Sequence, residues 1–361
     1  MPLTQLKLDD RLSKAELKQL KLQRNVWYVA AWPEEITRKP LGRAIADEPI
    51  AFFRTEAGEV AAVSNVCPHR FAPLSRGELI GDAIECKYHG LRFNRDGHCV
   101  LNPHNDRQSR SAVIKAYPVV ERHGLVWIWP GDAKLADSTR IPEVPVLAEG
   151  SGYHSVHNYI YASYRYDILI DNLLDLSHAD YLHRGSFSSG VAARTELSVT
   201  EHGDEVTVMR SLFEVAAPPM PYGNFDAEGG MTDQWFKIHW HPGQVVSFSS
   251  GIVRSGEDFA KSVIVYFSHI ATPASHNRTH YFFCITRDSD IDNKELDAFI
   301  GNAQKSVIER EDGPMLEDID RNMGGEELMS KKPLILPTDA GGMRVRRVMK
   351  RLLDKENEVP R

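Results

Sequence analysis

The chain is poor in cysteine: only Cys67, Cys86, Cys99 and Cys284 occur in 361 residues. That density excludes the disulfide framework of a small secreted scaffold, so thiols paired with histidines point to metal binding or catalysis. A basic face is missing as well. The net charge is −7, which gives nucleic acid no electrostatic footing. No apolar run reaches the roughly 18 residues of a membrane span. The opening "MPLTQLKLDDRLSKAELKQLKLQR" mixes charge throughout and lacks an apolar signal core. It is expected to be an extension that forms a helix on the body or on a neighbouring subunit, and the protein is expected in the cytoplasm. With 42% hydrophobic and 26% charged residues the composition is that of a globular protein, at a length that suits two packed units.

In the first part, runs rich in Val, Ile, Phe and Trp ("RAIADEPIAFFR", "VAAVSN", "LRFNRDGHCV", "GLVWIWPG") are broken by Gly, Asp-Gly and Pro. They predict a small antiparallel β domain over 26–145, after the extension over 1–25. "STRIPEVPVLAEGSG" reads as a linker. Over 146–361 the pattern mixes. "SYRYDILIDNLLDLSHADYLHR" and "NKELDAFIGNAQKSVIEREDG" have helical spacing, while "ELSVTEHGDEVTVMRSLFEV" and "VIVYFSHIATPASHNRTHYFFCIT" read as strands. The fold class is α+β, with an antiparallel sheet in the second domain that helices cover.

Cys67-x-His69 and Cys86-x2-His89 each put one thiol and one imidazole on a turn, with Pro68 and Gly90 fitting tight loops. Two metals suit the set. Zinc accepts two Cys and two His tetrahedrally. A [2Fe–2S] cluster of the Rieske kind takes two Cys on one iron and two His on the other. Zinc fingers usually keep like ligands together, whereas here each loop supplies one of each. Cys99 and Cys284 lie outside the motif and read as small buried residues.

Downstream, Asp175-x2-His178-x4-His183 sets two histidines five apart among leucines. Residues five apart do not share a helix face, so His183 is expected just past a helix end or after a distortion. Two histidines want a third ligand, and a carboxylate would complete a facial triad with open positions on ferrous iron. In "VIEREDGPMLEDID", Asp312 has Ile308, Met315 and Leu316 at helical spacing around it. Glu309, Glu311, Glu317 and Asp318 fall on the solvated side, and Pro314 is expected to kink the segment.

These stretches resemble the Rieske non-haem iron oxygenases. "CPHR" and "CKYHG" match that family's cluster loops, except that Phe71 stands where the family often has glycine. "DNLLDLSHADYLH", "NVWYVAAWPEEI", "YPVVERHGLVWIWPGD" and "DAGGMRVRRVMKRLL" are similar to the vanillate O-demethylase oxygenase branch. The resemblance implies that Cys67 and Cys86 hold one iron of a [2Fe–2S] cluster, and His69 and His89 the other. It maps His178, His183 and Asp312 onto the ligands of a mononuclear Fe(II). Asp175 maps onto a carboxylate that joins His89 of an adjacent subunit to His178, which implies a head-to-tail homotrimer. Asn172 falls where related enzymes carry a polar residue beside the iron ligands. O2 as cosubstrate and a separate ferredoxin-type reductase fed by NADH and flavin complete the implied system. The implied reaction is O-demethylation of a small methoxylated aromatic acid with formaldehyde release. The alternatives are hydroxylation of another aromatic compound and, in a different class, a Rieske electron carrier.

For the substrate, "DQWFKIHWHPG" offers Trp235, Lys237, His239 and His241 on one face of a strand, with Phe236, Ile238 and Trp240 on the other. Trp235, His239 and His241 are the candidate contacts, because an aromatic acid wants a cation or imidazole beside an apolar wall. Arg165 and His269 are further candidates without better support.

Overall fold

The computed structural model describes residues 22–104, 112–184, 195, 197–217, 225–226 and 229–358. The helix expected in the opening extension falls, up to residue 21, outside the described residues. Leu22 is buried, and the backbone N–H groups of Arg24 and Asn25 donate to the Glu356 carboxylate near the other end of the chain.

Among the described residues, ten short strands build the first unit. They are β1 (Tyr28–Ala31), β2 (Leu41–Ile45), β3 (Glu48–Arg54), β4 (Val60–Ser64), β5 (Glu78–Ile80), β6 (Ala83–Glu85), β7 (Arg92–Phe93), β8 (Cys99–Leu101), β9 (Val119–Arg122) and β10 (Leu125–Ile128). They form three small antiparallel sheets, β1-β10-β9, β2-β3-β4 and β5-β6-β7-β8. The first two close over Tyr28, Ile45, Ile50, Phe52, Val126 and Ile128. The third carries the two Cys/His loops and shares a core with Phe53, Val63 and Leu74.

The second unit opens with β11 (His154–Ala162), α1 (Tyr166–Leu174) and the short α2 (Ala179–Leu182). A meander follows: β12 (Leu197–His202), β13 (Glu205–Ala216), β14 (Met231–His241), β15 (Val245–Arg254), β16 (Val263–Ser275) and β17 (Arg278–Arg287). Then come α3 (Lys294–Val307), a π-helical turn (Ile308–Asp312), α4 (Gly313–Met323) and α5 (Ala340–Glu358). The sheet order is β11-β17-β16-β15-β14-β13-β12, antiparallel throughout. Because β11 returns beside β17, the helices that follow each of them cover the same sheet face.

On that face Val208, Ile238, Trp240, Val246 and Phe283 pack against Leu169 and Leu174 of α1, Ile308, Leu316 of α4 and Val345 of α5. The opposite face belongs to the first unit: Val245, Ile270, Phe282 and Cys284 meet Trp27, Val29, Trp32 and Ile141. Trp32 also donates its indole N–H to the Asn158 carbonyl at 3.2 Å, and Thr272 donates to the Val29 carbonyl at 2.7 Å. Cys99 and Cys284 are buried thiols, as expected, and burial pushes Cys284 up to about 11. Among the described residues no helix is long and apolar enough to cross a membrane.

α1 is fastened by charge. Arg346 of α5 donates to both Asp171 and Asp167, and Arg165 forms a fork onto Asp167. Burial pushes Asp171 up to about 6, against the pull of Arg346. Breaking such a buried network by removing one partner generally costs 3–5 kcal/mol, roughly. Arg165 is consumed here, which removes it from the candidate substrate contacts. The helix so fixed carries Asn172 and ends at Asp175.

Candidate active site with two metal centres

The two cluster loops repeat one hydrogen-bond pattern. Phe71 N–H donates to the Cys67 carbonyl at 2.9 Å, and Gly90 N–H donates to the Cys86 carbonyl at 2.8 Å. Each loop closes on a left-handed residue, Phe71 with φ 59° and Gly90 with φ 75°. Cys67 and Cys86 are buried, while the rings of His69 and His89 lie 4.5 Å apart nearer the surface. Burial pushes the Cys67 thiol up, and the backbone N–H groups of His69 and Arg70 oppose it, so donors already face the sulfur. His89 Nδ1 is buried without a hydrogen-bond partner. Such an orphan costs about 1–3 kcal/mol, which a metal ligand bond removes. Two thiols, two imidazoles and an orphaned ring nitrogen suit a Rieske cluster.

Phe71, a non-glycine residue with left-handed φ, carries a backbone strain that glycine would not. The residue is 76% exposed, so little packing is lost on truncation. Phe71→Gly is expected to keep the cluster's visible spectrum and to stabilise the protein by about 0.5–1 kcal/mol in denaturant unfolding. A destabilised variant would mean that the exposed ring contributes more than the backbone strain removes.

The second centre begins where α1 stops. Asp175 leaves the helix with extended backbone, and its carboxylate accepts from the Ser177 N–H at 2.9 Å, which starts a short 3-10 turn, Leu176–His178. α2 then runs for only four residues, and His183 caps its C-terminus. This is the helix-end placement the spacing required. The rings of His178 and His183 come within 5.1 Å, and their Nε2 atoms lie 3.6 and 3.3 Å from Asp312 Oδ1. His178 Nδ1 faces the Asp175 carbonyl, and His183 Nδ1 bonds Glu311 Oε2 at 2.8 Å. With both Nδ1 atoms engaged behind, both Nε2 atoms point to one place beside a carboxylate. Asn172 Nδ2 donates to Asp312 Oδ1 at 3.2 Å. Burial would lower the His183 pKa, but Asp312 and Glu311 outweigh it and raise it, the mark of a site short of positive charge.

Glu311 corrects an expectation: it does not lie on the solvated side. The segment Ile308–Asp312 is a π turn, with Gly313 N–H reaching back to the Ile308 carbonyl. Pro314, with no N–H to donate, follows at the start of α4. The extra residue in the turn brings Glu311 and Asp312 together onto His183. It also shifts the buried face by one position, so Leu316 is buried and Met315, expected inside, is exposed.

Residues 26–118 match the Rieske [2Fe-2S] domain family, and residues 163–355 match the vanillate O-demethylase oxygenase C-terminal domain family. The chain belongs to the Rieske oxygenase components of the vanillate O-demethylase type. It is 37% identical to the dicamba O-demethylase oxygenase component of Stenotrophomonas maltophilia, over 91% of this chain and 97% of that one. The vanillate O-demethylase oxygenase subunit of Pseudomonas sp. (strain HR199 / DSM 7063) is 36% identical, over 93% and 96%. A crystal structure of dicamba monooxygenase bound to dicamba superposes with a TM-score of 0.85 at 35% identity, covering 93% of this chain and 99% of that one. An oxygenase component of this family contains a [2Fe–2S] domain, uses non-haem iron and O2, and relies on a separate electron-supplying protein.

In this Rieske oxygenase the sheet face under the helices carries a row of aromatic side chains. Phe236, Phe248 and Phe267 form a row across β14, β15 and β16, with ring centroids 6.0 and 4.9 Å apart. His269 extends the row, parallel to Phe267 and hydrogen-bonded through Nδ1 to Tyr281 Oη at 2.7 Å. Burial pushes His269 down to about 4, and the Asp312 carboxylate pulls the other way. The predicted strand alternation holds, but the chosen face does not. Trp235, His239 and His241 lie on the face away from α1 and the π turn. Trp235 donates to Ser262 Oγ at 2.9 Å, and both histidines bond Glu205 at 3.1 Å. The structure therefore separates them from His178, His183 and Asp312, while it brings His269 close. The sequence does not single out these phenylalanines, because only the pairing of three strands makes Phe236, Phe248 and Phe267 a row.

Proposed function

We propose that the chain is the terminal oxygenase of a multicomponent system that O-demethylates a vanillate-like methoxylated aromatic acid. The convergence of His178 Nε2, His183 Nε2 and Asp312 Oδ1 behind an aromatic wall carries this reading. These three residues hold Fe(II), and Cys67, Cys86, His69 and His89 hold the [2Fe–2S] cluster. The extension spans 1–25, the cluster unit 26–145 and the catalytic unit 146–361. Ferrous iron in a two-histidine, one-carboxylate setting supplies open positions for O2. The protein's part is to bind and orient. Phe236, Phe248 and Phe267 take the substrate ring by stacking. His269 stays neutral because of its burial. In the tautomer in which Tyr281 donates to its Nδ1, Nε2 carries the proton and offers it to the substrate's polar group. Asn172 fixes Asp312, Glu311 fixes His183, and the Asp175 carbonyl fixes His178.

One oxygen atom enters a methyl C–H bond, and the hemiacetal collapses to a phenol and formaldehyde. The other oxygen atom leaves as water, with two electrons and two protons consumed. A ferredoxin-type reductase that uses NADH and a flavin supplies the electrons, which places the system in the cytoplasm. His69 and His89 lie nearer the surface than the cysteines, and the Asp175 carboxylate keeps 22% exposure. This arrangement supports a head-to-tail homotrimer in which His89 of one copy meets Asp175 of the next. Sedimentation should give three times the chain mass.

The test is anaerobic purification, electron paramagnetic resonance of the dithionite-reduced protein, and turnover of methoxylated benzoates with NADH and a surrogate reductase. A rhombic cluster signal and formaldehyde in step with O2 consumption are expected. Ring-hydroxylated product without formaldehyde would replace demethylation by hydroxylation. A colourless, zinc-containing protein would sink the oxygenase assignment of these residues.

A further inference from the structure

A second group of metal-ligating side chains sits on the far side of the catalytic sheet. Strand alternation puts His239 and His241, two apart on β14, on one face, with ring centroids 4.2 Å apart. Glu205 opens β13, one residue before Val206, whose cross-strand partner is Trp240. We propose that Glu205, His239 and His241 bind a divalent transition-metal ion of the zinc or nickel class, separate from the iron centre.

The donor atoms are already gathered. Glu205 Oε2 lies 3.1 Å from His239 Nε2, Glu205 Oε1 lies 3.1 Å from His241 Nδ1, and one ligand atom from each residue falls within 4.8 Å of the others. Ligands held at about 2.1 Å on a tetrahedron sit roughly 3.4 Å apart, so a small outward shift of the carboxylate would admit the ion. Behind the site, Thr207 Oγ1 bonds His239 Nδ1 at 2.6 Å. That contact fixes the ring and leaves Nε2 toward the carboxylate, as a partner outside the ligand shell does for a metal-bound histidine. The Glu205 side chain is 43% exposed, His239 25% and His241 11%. One side is therefore open for an ion to enter and for water to complete its shell. Two imidazoles select zinc, nickel or copper over magnesium or calcium. Such an ion would pin the start of β13 to the end of β14.

The experiment uses the holoprotein with cluster and iron loaded, and Zn2+ alone as the probe. Zinc and iron are counted after desalting. The wild type is expected to keep one added zinc per chain without losing iron, and to unfold at a higher temperature with it. His239→Asn, His241→Asn and Glu205→Gln should each weaken that zinc at least tenfold, with oxygenase turnover unchanged. Glu205→Gln keeps an acceptor for the rings and guards against misfolding as the cause. Two results would overturn the site. In one, the wild type takes up no more zinc than the three variants. In the other, the extra zinc disappears in His183→Ala and persists in His239→Asn, which places it at the iron centre. In either case the trio is a hydrogen-bonded cluster only. The outcome does not depend on the substrate proposed above.

Discussion

Asp175→Asn is expected to leave the cluster and the iron loaded and to cut reductase-coupled turnover by about 100-fold. The substitution separates two roles of one side chain. Its local role is to start the turn that presents His178, by accepting from Ser177 N–H at 2.9 Å and Ser177 Oγ at 2.8 Å. An asparagine oxygen caps as well as a carboxylate. The carbonyl that faces His178 Nδ1 is backbone and does not change. Arg210, 3.6 Å from Asp175, keeps the field of Asp180 as a second carboxylate. The loss is a negative charge at a partly exposed edge, where a histidine of a neighbouring copy would dock. The fold and both metals therefore survive, and electron delivery between copies does not. Iron content, the reduced cluster's resonance and coupled turnover are measured on one preparation. Normal turnover with both centres intact would remove the bridging role. Loss of iron together with turnover would make Asp175 a structural residue of the iron turn.

Chemistry written in short spacings is legible in the sequence itself. Each cluster loop holds a thiol and an imidazole within a few residues, and His178 and His183 stand five apart at the two ends of the short α2. Their residue types and intervals limit the metals that fit. The antiparallel sheet and its helical cover were legible from periodicity. Glu311 was not, because an ideal helix places it outward and only the π turn before Pro314 redirects it. Met315 was misjudged by the same one-residue shift. On β14 the alternation is correct, but both faces carry large aromatic side chains, so alternation alone does not say which face looks toward His178 and His183. That is why His239 and His241 were attractive as substrate contacts and lie elsewhere. Phe236, Phe248 and Phe267 come from three strands, and only their cross-strand register makes them a wall.

Glu311→Gln is expected to weaken Fe(II) binding by about 10–100-fold, roughly 1.4–2.7 kcal/mol, with the cluster spectrum unchanged as an internal control. His183 is almost fully buried, with 1% side-chain exposure, and its Nδ1 rests 2.8 Å from Glu311 Oε2. The carboxylate holds the Nδ1 proton, keeps the Nε2 lone pair directed at the metal position and makes the ring a stronger base. Glutamine retains an acceptor and loses the charge, so the ring stays in place and its basicity falls. A pH series identifies the cause. Against its burial, Asp312 and Glu311 raise the His183 pKa, so without metal the ring takes a proton at a higher pH than an ordinary histidine. Iron must displace that proton, and wild-type affinity falls as pH drops below the raised value. In Glu311→Gln the fall begins at lower pH. The gap between the two proteins should therefore be widest above the raised value and narrow as pH falls through it. Chelator competition under anaerobic conditions reads it directly. An unchanged affinity would return Glu311 to the solvated side in function, and a gap constant with pH would attribute the effect to charge near the metal and not to the proton on His183.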